Sequence, residues 1–495
     1  KEVATTQATK GAATLEVENP HKWTAETPYL YTLYASLEGS NEVIPVKVGF
    51  RKVELKNAQV LVNGQPILFK GANRHELDPD GGYVISKERM IQDIQVMKQF
   101  NLNAVRTCHY PDNNLWYELC DQYGIYVVAE ANIESHGMGY GEKTLAKRND
   151  YTLAHLERNQ RNVQRSFNHP SVLIWSLGNE AGYGPNFEKA YDWIKQEDPS
   201  RLVQYEQAGK SGKTDIYCPM YLGYNRCEEY SKDEQYQKPL IQCEYAHAMG
   251  NSEGGFKEYW DIIRKYPKYQ GGFIWDFVDQ SIIRFEPDGR ATFSYGGSYN
   301  KFDPSDGNFN NNGFIAADRS LHPSAYEVGY QYRSILSSLV EGTRNKVEIY
   351  NENFFVDLSN YNLHWELVAD NRVVCAGNIP SLNVKPQQRA IVTLPIEKYL
   401  SKVKDAKEVF VNLEYSLKEA EGILDAGTVL SYDQLMLKEF DAAQEFESFV
   451  GEAFDGSAAP GGTNAGAGSG CRRTCDHCRR GWRWLCHCPR NGKGR

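Results

Sequence analysis

Two glutamates, Glu180 and Glu244, stand near the ends of short apolar runs, VLIWSLGNE and PLIQCEYA. A pair of carboxyl groups in one pocket suits glycoside hydrolysis, because one group protonates the leaving oxygen while the other attacks the anomeric carbon or activates water. A separation of about 5–5.5 Å gives retention of configuration, and about 6.5–9.5 Å gives inversion. The competing interpretation is that either glutamate is a structural ion-pair partner.

Glu134 and His136 lie two residues apart after another apolar run, so on an extended segment both side chains face the same side. Together with Glu180 they form a carboxylate–imidazole–carboxylate set, which suits a hard divalent ion such as Mg²⁺ with several waters. The E-x-H spacing is weak alone, so this prediction depends on the fold bringing Glu180 close.

Three histidines and a tryptophan also lie near the ends of apolar runs: His75, His109, His247 and Trp275. Imidazoles that converge on one rim can hydrogen-bond a polyhydroxylated ligand, and the indole offers an apolar wall to the C–H face of a sugar ring. Each residue also has a structural interpretation, as a hydrogen-bonded histidine or a core tryptophan. We predict that they line a sugar site.

The elements that must position these side chains are eight short apolar, often β-branched runs that alternate with amphipathic helical stretches, which predicts βα units with parallel strands. The runs cover 67–73, 103–110, 125–132, 172–180, 202–208, 216–221, 239–246 and 272–278. Eight such units match a (β/α)8 TIM barrel, whose active face lies at the C-terminal ends of the strands. An open doubly wound sheet is the alternative, but no G-x-G-x-x-G follows the first strand.

The chain divides into four predicted parts, of which this barrel, at residues 53–335, is the second. Residues 1–52 alternate apolar and polar positions and are interpreted as the C-terminal part of an immunoglobulin-like β-sandwich. Residues 336–440 return to this alternation and predict a second such sandwich. Residues 441–495 form a Gly/Ala/Ser-rich linker and a Cys/Arg-rich tail, interpreted as disordered or non-native, with zinc or nucleic-acid binding as a weaker alternative.

Charge and cysteine usage also differ between the body and the tail. Residues 471–495 carry eight Lys or Arg against one Asp, a net charge of +7. Because the whole chain has a net charge of −9, the other residues sum to −16. A body this acidic disfavours nucleic acid and anionic membranes as partners. No apolar run is long enough to span a membrane. Six cysteines are scattered through the body, which indicates buried thiols rather than a disulfide framework.

Several long motifs closely resemble the catalytic barrel of glycoside hydrolase family 2, and within it the large bacterial β-galactosidases. They include GANRHELDPDGG, EANIESHGM, IWSLGNEAGYG, CEYAHAMGNSEGG, GGFIWDFVDQS and FNNNGFIAADRSLHP. The resemblance extends from about residue 52 to 335, which is more than half of the chain. It implies a retaining hydrolase that removes terminal β-D-galactose from β-galactosides such as lactose, through a covalent galactosyl-enzyme.

The resemblance also implies a role for individual residues. Glu180 is the expected acid/base and Glu244 the expected nucleophile. Glu134, His136 and Glu180 match a Mg²⁺ (or Mn²⁺) site, and the Phe309 carbonyl and Asn312 match part of a weak, incomplete Na⁺ site. The residues expected around the galactose are His75, His109, Asn179, Tyr221, His247 and Trp275.

The chain departs from the family pattern on both sides of the barrel. The family's N-terminal sugar-binding-like domain and large C-terminal β-domain have no counterpart, so we expect an incomplete chain and a poor catalyst. A family 2 β-glucuronidase or β-mannosidase, or an inactive carbohydrate-binding fragment, remains an alternative. No basic residue is evident near the strand ends to bind a C6 carboxylate, which favours galactose. The full-length protein is expected to be a homo-oligomer, bacterial, with the cytoplasm favoured over the periplasm.

Overall fold

The computed structural model describes residues 2–443. The predicted tail and most of the predicted linker lie outside these residues. The described chain begins with an antiparallel hairpin, as the alternation predicts, and continues with a small three-stranded antiparallel sheet. The hairpin consists of β1 (Tyr31–Ser36) and β2 (Val43–Val48). The small sheet consists of β3 (Val53–Lys56), β4 (Gln59–Val62) and β5 (Gln65–Pro66).

A parallel sheet follows, in the spatial order β10-β9-β8-β7-β6-β12-β11. These strands are β6 (Phe69–Arg74), β7 (Ala104–Thr107), β8 (Tyr126–Glu130), β9 (Val172–Ser176), β10 (Leu202–Gln204), β11 (Leu240–Tyr245) and β12 (Tyr269–Ile274). Every residue of the seven strands is buried. Burial on both faces is typical of parallel strands covered by helices.

The sixth predicted strand, 216–221, is wrong as a regular strand, although the segment occupies the expected place. It pairs with β11 through two isolated bridges, Tyr217 with Leu240 and Met220 with Glu244. The Asp215 amide donates to the Val203 carbonyl of β10 at 2.8 Å, so the segment closes the ring. Pro219 has no N–H to donate, which prevents a continuous ladder here. The predicted (β/α)8 barrel is confirmed with this exception.

Seven helices accompany the barrel strands: α1 (Lys87–Gln99), α2 (Asn114–Tyr123), α3 (Thr152–Ser166), α4 (Pro185–Glu197), α5 (Tyr224–Lys232), α6 (Phe256–Lys265) and α7 (Pro323–Tyr332). Capping residues and prolines in the sequence determine where several of these helices begin or end. The Ser86 hydroxyl caps α1 by accepting from the Arg89 amide, and α2 ends at Gly124 in the left-handed conformation. Pro185 and Pro323 occupy first-turn positions, where a missing N–H costs nothing. None of the helices within residues 2–443 is long and apolar enough to cross a membrane.

The last seven strands of the described residues form two antiparallel sheets around a separate core, the seven-strand arrangement of an immunoglobulin-like sandwich. A short hairpin, β13 (Ile282–Phe285) with β14 (Ala291–Ser294), precedes them. The first sheet is β15 (Ile335–Leu339), β16 (Lys346–Asn351) and β19 (Arg389–Thr393). The second is β17 (Tyr361–Ala369), β18 (Arg372–Ile379), β20 (Val409–Leu417) and β21 (Val429–Lys438), and a short helix, α8 (Glu397–Leu400), precedes β20.

Strand β12 starts at Tyr269 rather than at the predicted residue 272, so that Gly271 and Gly272 both lie inside the strand. Gly271 has φ +112°, and a Cβ there would lie 2.2 Å from the Phe69 carbonyl oxygen of β6. Only glycine allows this approach. The polar ends of most predicted runs lie beyond the observed strands. For example, β9 ends at Ser176, before the turn that carries Glu180.

Candidate active site

Arg106 on β7 connects the strand ends at the C-terminal rim of the barrel. Its guanidinium is fully buried, and one Nη donates to Glu244 Oε1 at 3.0 Å and to Asn73 Oδ1 at 2.7 Å. The other Nη donates to Asn179 Oδ1 at 2.7 Å, and Glu130 accepts from Nε and Nη2 at 2.7 and 3.1 Å. A fixed fork of donors can orient several carboxyl and amide oxygens at once.

Arg106 is not among the site residues predicted from the sequence. It is a basic side chain near the strand ends, where none was evident to bind a C6 carboxylate, and its donors face protein oxygens. The available signal was an arginine inside an otherwise apolar strand, NAVRT. A buried charge is rare unless it is paired, so a charged residue in such a strand indicates a partner at the same depth. The partners named above occupy Nε and both Nη atoms of Arg106.

Glu244 lies within β11 and is 5% exposed. Its two oxygens have different donors, because Arg106 reaches Oε1 and the Tyr221 hydroxyl donates to Oε2 at 2.9 Å. Burial raises the pKa of the Glu244 carboxyl, while Arg106, His109 and Tyr221 oppose that rise. The carboxylate is therefore fixed in orientation by two hydrogen bonds in a largely water-free place.

Glu180 lies on the turn after β9, and its surroundings differ from those of Glu244. Its carboxyl accepts from the Tyr140 hydroxyl at 2.9 Å and lies 3.1 Å from His136 Nδ1, and its side chain is 28% exposed. Its amide donates to Glu206 at 2.8 Å. Backbone φ at Glu180 is +38°, a strained value for a residue with a side chain. Such strain is often stored at functional sites.

A glycine brings this turn close to the loop after β8. Gly178 has φ +150°, and a Cβ there would lie 2.7 Å from the Ile133 carbonyl oxygen. The next amide, of Asn179, donates to that carbonyl at 2.8 Å. Asn179 Nδ2 then donates to Glu134 Oε1 at 3.2 Å. The close approach sets Glu180 beside Glu134.

Glu134, His136 and Glu180 accordingly form one cluster, with one ligand atom of each within 4.8 Å of the others. Within residues 2–443, neither carboxylate pairs with a Lys or Arg side chain. Two acidic groups this close without a basic partner repel each other unless a cation or a proton lies between them. The oxygen-rich donor set fits Mg²⁺ or Mn²⁺.

His75, His109 and Trp275 form an aromatic wall at the same rim. The His109 and Trp275 rings stack at 5.0 Å and 6°, and His75 meets both edge-on at 5.5 and 5.6 Å. His109 Nδ1 lies 2.8 Å from Glu130, and His75 Nδ1 lies 3.1 Å from the Tyr110 hydroxyl. Burial, with the nearby charges of His109 and Arg106, lowers the pKa of His75 to about 3. His75 is therefore a neutral imidazole at physiological pH.

His247 and Phe309 lie near Tyr221 on another part of the rim. The His247 ring is 5.9 Å from Tyr221 and 5.8 Å from Phe309. The expected sodium ligands are adjacent, because Asn312 Nδ2 donates to the Phe309 carbonyl at 2.5 Å. Asn312 Oδ1 is buried without a hydrogen-bond partner. An orphaned amide oxygen beside a carbonyl fits a monovalent cation held by neutral oxygens.

Three segments of the chain match described protein families. Residues 53–336 match "Glycosyl hydrolases family 2, TIM barrel domain", and residues 1–51 match "Glycosyl hydrolases family 2". Residues 347–438 match "Beta-galactosidase, domain 4". The order of these segments follows the order of the predicted domains.

Two curated relatives are similar over most of this chain. It is 41% identical over 443 residues to the beta-galactosidase of Psychromonas ingrahamii, and 41% identical over 439 residues to that of Pectobacterium atrosepticum. Each alignment covers 86% of this chain and 42% of the relative. The chain thus spans less than half the length of the curated relatives it matches.

Solved structures share the fold at lower identity. The β-D-glucuronidase of Dictyoglomus thermophilum aligns with a TM-score of 0.51 at 22% identity, covering 64% of this chain and 60% of that one. The β-glucuronidase of Faecalibacterium prausnitzii aligns with a TM-score of 0.50 at 26% identity, covering 63% and 56%. The sequence match over the barrel, which is more than half of the chain, shows that this protein belongs to glycosyl hydrolase family 2.

Proposed function

We propose that this chain carries the catalytic centre of a retaining β-galactosidase that works by double displacement. The observation that carries the proposal is the unequal environment of the two carboxyl groups at one rim. Glu244 is buried and held by Arg106 and Tyr221, whereas Glu180 is partly exposed and has no arginine or lysine partner within residues 2–443. Environments that separate two carboxyl groups in this way assign a nucleophile and an acid/base.

In the first step, a Glu244 oxygen bonds to the anomeric carbon while the bond from that carbon to the leaving oxygen breaks. The Glu180 proton moves to that leaving oxygen. In the second step, water attacks the anomeric carbon, its proton returns to Glu180, and the bond to Glu244 breaks. Arg106 and Tyr221 hold Glu244 in a fixed orientation, so little reorganisation precedes attack. The exposure of Glu180 lets the aglycone leave and water enter on its side.

A neutral sugar fits this rim better than a uronic acid. The basic side chains at the strand ends already have protein partners. Arg106 donates to protein oxygens from Nε and both Nη atoms, and Arg74, the last residue of β6, donates to Asp93 and Asp112. The hydroxyl-binding residues in our proposal are His75, His109, Asn179, Tyr221 and His247, with Trp275 as the apolar wall. The identity to two β-galactosidases supports galactose as the sugar.

For the metal sites we propose that Glu134, His136 and Glu180 bind Mg²⁺ or Mn²⁺, and that Phe309 and Asn312 bind Na⁺ weakly. A bound divalent ion supplies positive charge that stabilises the ionised form of Glu180. His136→Ala should weaken Mn²⁺ binding at least tenfold in a titration followed by electron paramagnetic resonance. Gln207→Ala, a substitution outside the cluster, is the control. Equal Mn²⁺ affinity in wild type and His136→Ala would place the metal elsewhere.

A 2-deoxy-2-fluoro-β-galactoside tests the function directly, because it forms the covalent intermediate and releases it slowly. We expect one label per chain, mapped by peptide mass spectrometry to Glu244. This experiment needs only one turnover, so it suits a poor catalyst. A label on another residue would contradict the nucleophile assignment. Labelling by the matching glucuronide or mannoside, with none by the galactoside, would identify a different family 2 activity, and failure of all three would favour a binding fragment.

A further inference from the structure

A second cluster of metal-binding groups lies at the rim, in the aromatic wall rather than beside Glu180. His75, Cys108 and His109 each offer one ligand atom within 4.8 Å of the other two. His75 and His109 are partly exposed, and Cys108 is a fully buried free thiol. The proposed mechanism uses the two imidazoles but gives the thiol no role.

Both imidazoles are already held in the way that protein metal sites hold histidine. The His109 Nδ1 atom lies 2.8 Å from Glu130, which is itself fixed by Arg106 and by the Ser176 hydroxyl at 2.6 Å. The His75 Nδ1 atom lies 3.1 Å from the Tyr110 hydroxyl. An oxygen partner on one ring nitrogen fixes the orientation of the ring, and a carboxylate partner increases the basicity of the other nitrogen as a ligand.

The donor chemistry separates this cluster from the one around Glu180. Two carboxylates and an imidazole select a hard ion, whereas two imidazoles and a thiolate select softer ions such as Zn²⁺ and Cd²⁺. We propose that His75, Cys108 and His109 form a binding site for thiophilic divalent ions, distinct from the magnesium site. When the ion binds, the Cys108 S–H bond breaks, the sulfur–metal bond forms, and the proton passes to solvent.

Occupation of this site has a consequence for catalysis, which rests on the proposed function. His75 and His109 flank Trp275, the wall against which the sugar is expected to lie. An ion bound between the imidazoles takes the nitrogens that would contact sugar hydroxyls. Zn²⁺ or Cd²⁺ should therefore inhibit hydrolysis in competition with the β-galactoside, while Mg²⁺ should not.

Cadmium binding can be followed without activity, through the ultraviolet charge-transfer absorption of a cadmium–thiolate bond. The tail contains five further cysteines, so all variants carry Ser at Cys471, Cys475, Cys478, Cys486 and Cys488. In this background of 495 residues we expect one Cd²⁺ per chain with a thiolate band, and no such band in Cys108→Ser. Cys120→Ser, which removes another fully buried thiol, should keep it. No band in the parent, or an unchanged band in Cys108→Ser, would overturn the proposal.

A milder change covers the case in which Cys108→Ser fails to fold. Tyr110→Phe removes the hydroxyl beside His75 and keeps all three ligands, so Cd²⁺ affinity should fall by about 10–100-fold. Unchanged affinity in Tyr110→Phe would contradict the assigned orientation of His75. The band is measured without substrate, so it tests the site even if the chain is not a galactosidase. Binding without competitive inhibition would leave the metal site standing and contradict the assigned sugar position.

Discussion

Buried polar side chains at the two ends of the barrel differ in whether other protein groups satisfy their hydrogen bonds. At the N-terminal end, Lys70, Glu352 and Arg264 form a closed network: Glu352 accepts from Lys70 at 2.9 Å and from Arg264 at 2.7 Å. Lys70 also donates to the Ser334 hydroxyl at 2.8 Å. At the C-terminal end, the buried oxygens Asp276 Oδ1 and Asn312 Oδ1 have no hydrogen-bond partner. These two oxygens have unused acceptor capacity, whereas Lys70, Glu352 and Arg264 satisfy one another.

The N-terminal network therefore contributes to stability, whereas the groups at the C-terminal end belong to the proposed catalytic site. Glu352 follows β16 of the sandwich, so its ion pairs join the sandwich to the barrel. A buried polar group that is fully satisfied contributes rigidity, and an unsatisfied one costs stability unless function requires it. In TIM barrels the C-terminal face carries catalysis and the opposite face stability. Substitutions at the two ends should therefore affect different measurements.

The largest expected effect is that of Glu244→Gln at the C-terminal end. An amide cannot form the glycosyl ester, so kcat for 4-nitrophenyl β-galactoside should fall on the order of 10⁴-fold or more. The thermal midpoint should change little, because Glu130 still compensates the Arg106 charge and glutamine keeps the shape of the side chain. The exposed Glu234→Gln is the control, with expected wild-type rates. Wild-type activity in Glu244→Gln would end the assignment.

Glu180→Ala should have the next largest effect. Loss of a general acid costs about 10²–10⁴-fold, and most for substrates with a poor leaving group. Azide should restore turnover of activated substrates and yield β-galactosyl azide, since the anion replaces the base-activated water in the second step. An α-configured product would show that the chemistry is not a double displacement.

Glu352→Gln tests the N-terminal end. Removing one partner of a buried ion pair leaves the other charge uncompensated, so the free energy of unfolding should fall by about 3–5 kcal/mol. Turnover per folded molecule should stay at the wild-type level. Glu348→Gln breaks the more exposed pair between Glu348 on β16 and Arg389 on β19, and should cost less than about 1 kcal/mol. A loss of activity without a loss of stability in Glu352→Gln would break the division between the two ends.

Much of the fold was predictable because hydrophobic patterning records burial. The stretch KERMIQDIQVMKQF is an example, because helical spacing predicts one apolar face made of Ile91, Ile94, Met97 and Phe100. In the helix over Lys87–Gln99 and the residue after it, Ile94 and Met97 are buried, and Ile91 and Phe100 are partly buried against the same core. The strand bounds were less predictable, because the ends of apolar runs look the same whether they stay in the sheet or turn out of it. Glu180 lies beyond its predicted strand for that reason, whereas the sixth segment at 216–221 is irregular because Pro219 interrupts the ladder.

The site was predictable in its residue types but not in its connections. Apolar runs that end in Glu, His and Trp indicated which side chains meet at the rim. The links through Arg106 and the approach at Gly178 depend on packing between residues far apart in sequence, which periodicity does not record. Likewise, nothing in the spacing of Cys108 reveals that His75 lies beside it.

The smallest expected effect is the dependence of the N-terminal network on pH. Burial alone would raise the pKa of Glu352, but Lys70 and Arg264 lower it to about 2. An unfolded glutamate has a pKa of about 4.3, so the stabilisation from ionised Glu352 is complete above roughly pH 5 and lost as the pH falls toward 2. This linkage is worth about 2–3 kcal/mol. In urea unfolding, the stability difference between wild type and Glu352→Gln should therefore narrow from pH 5 to pH 2. A gap that widens toward acid would mean that Glu352 is not held ionised by Lys70 and Arg264.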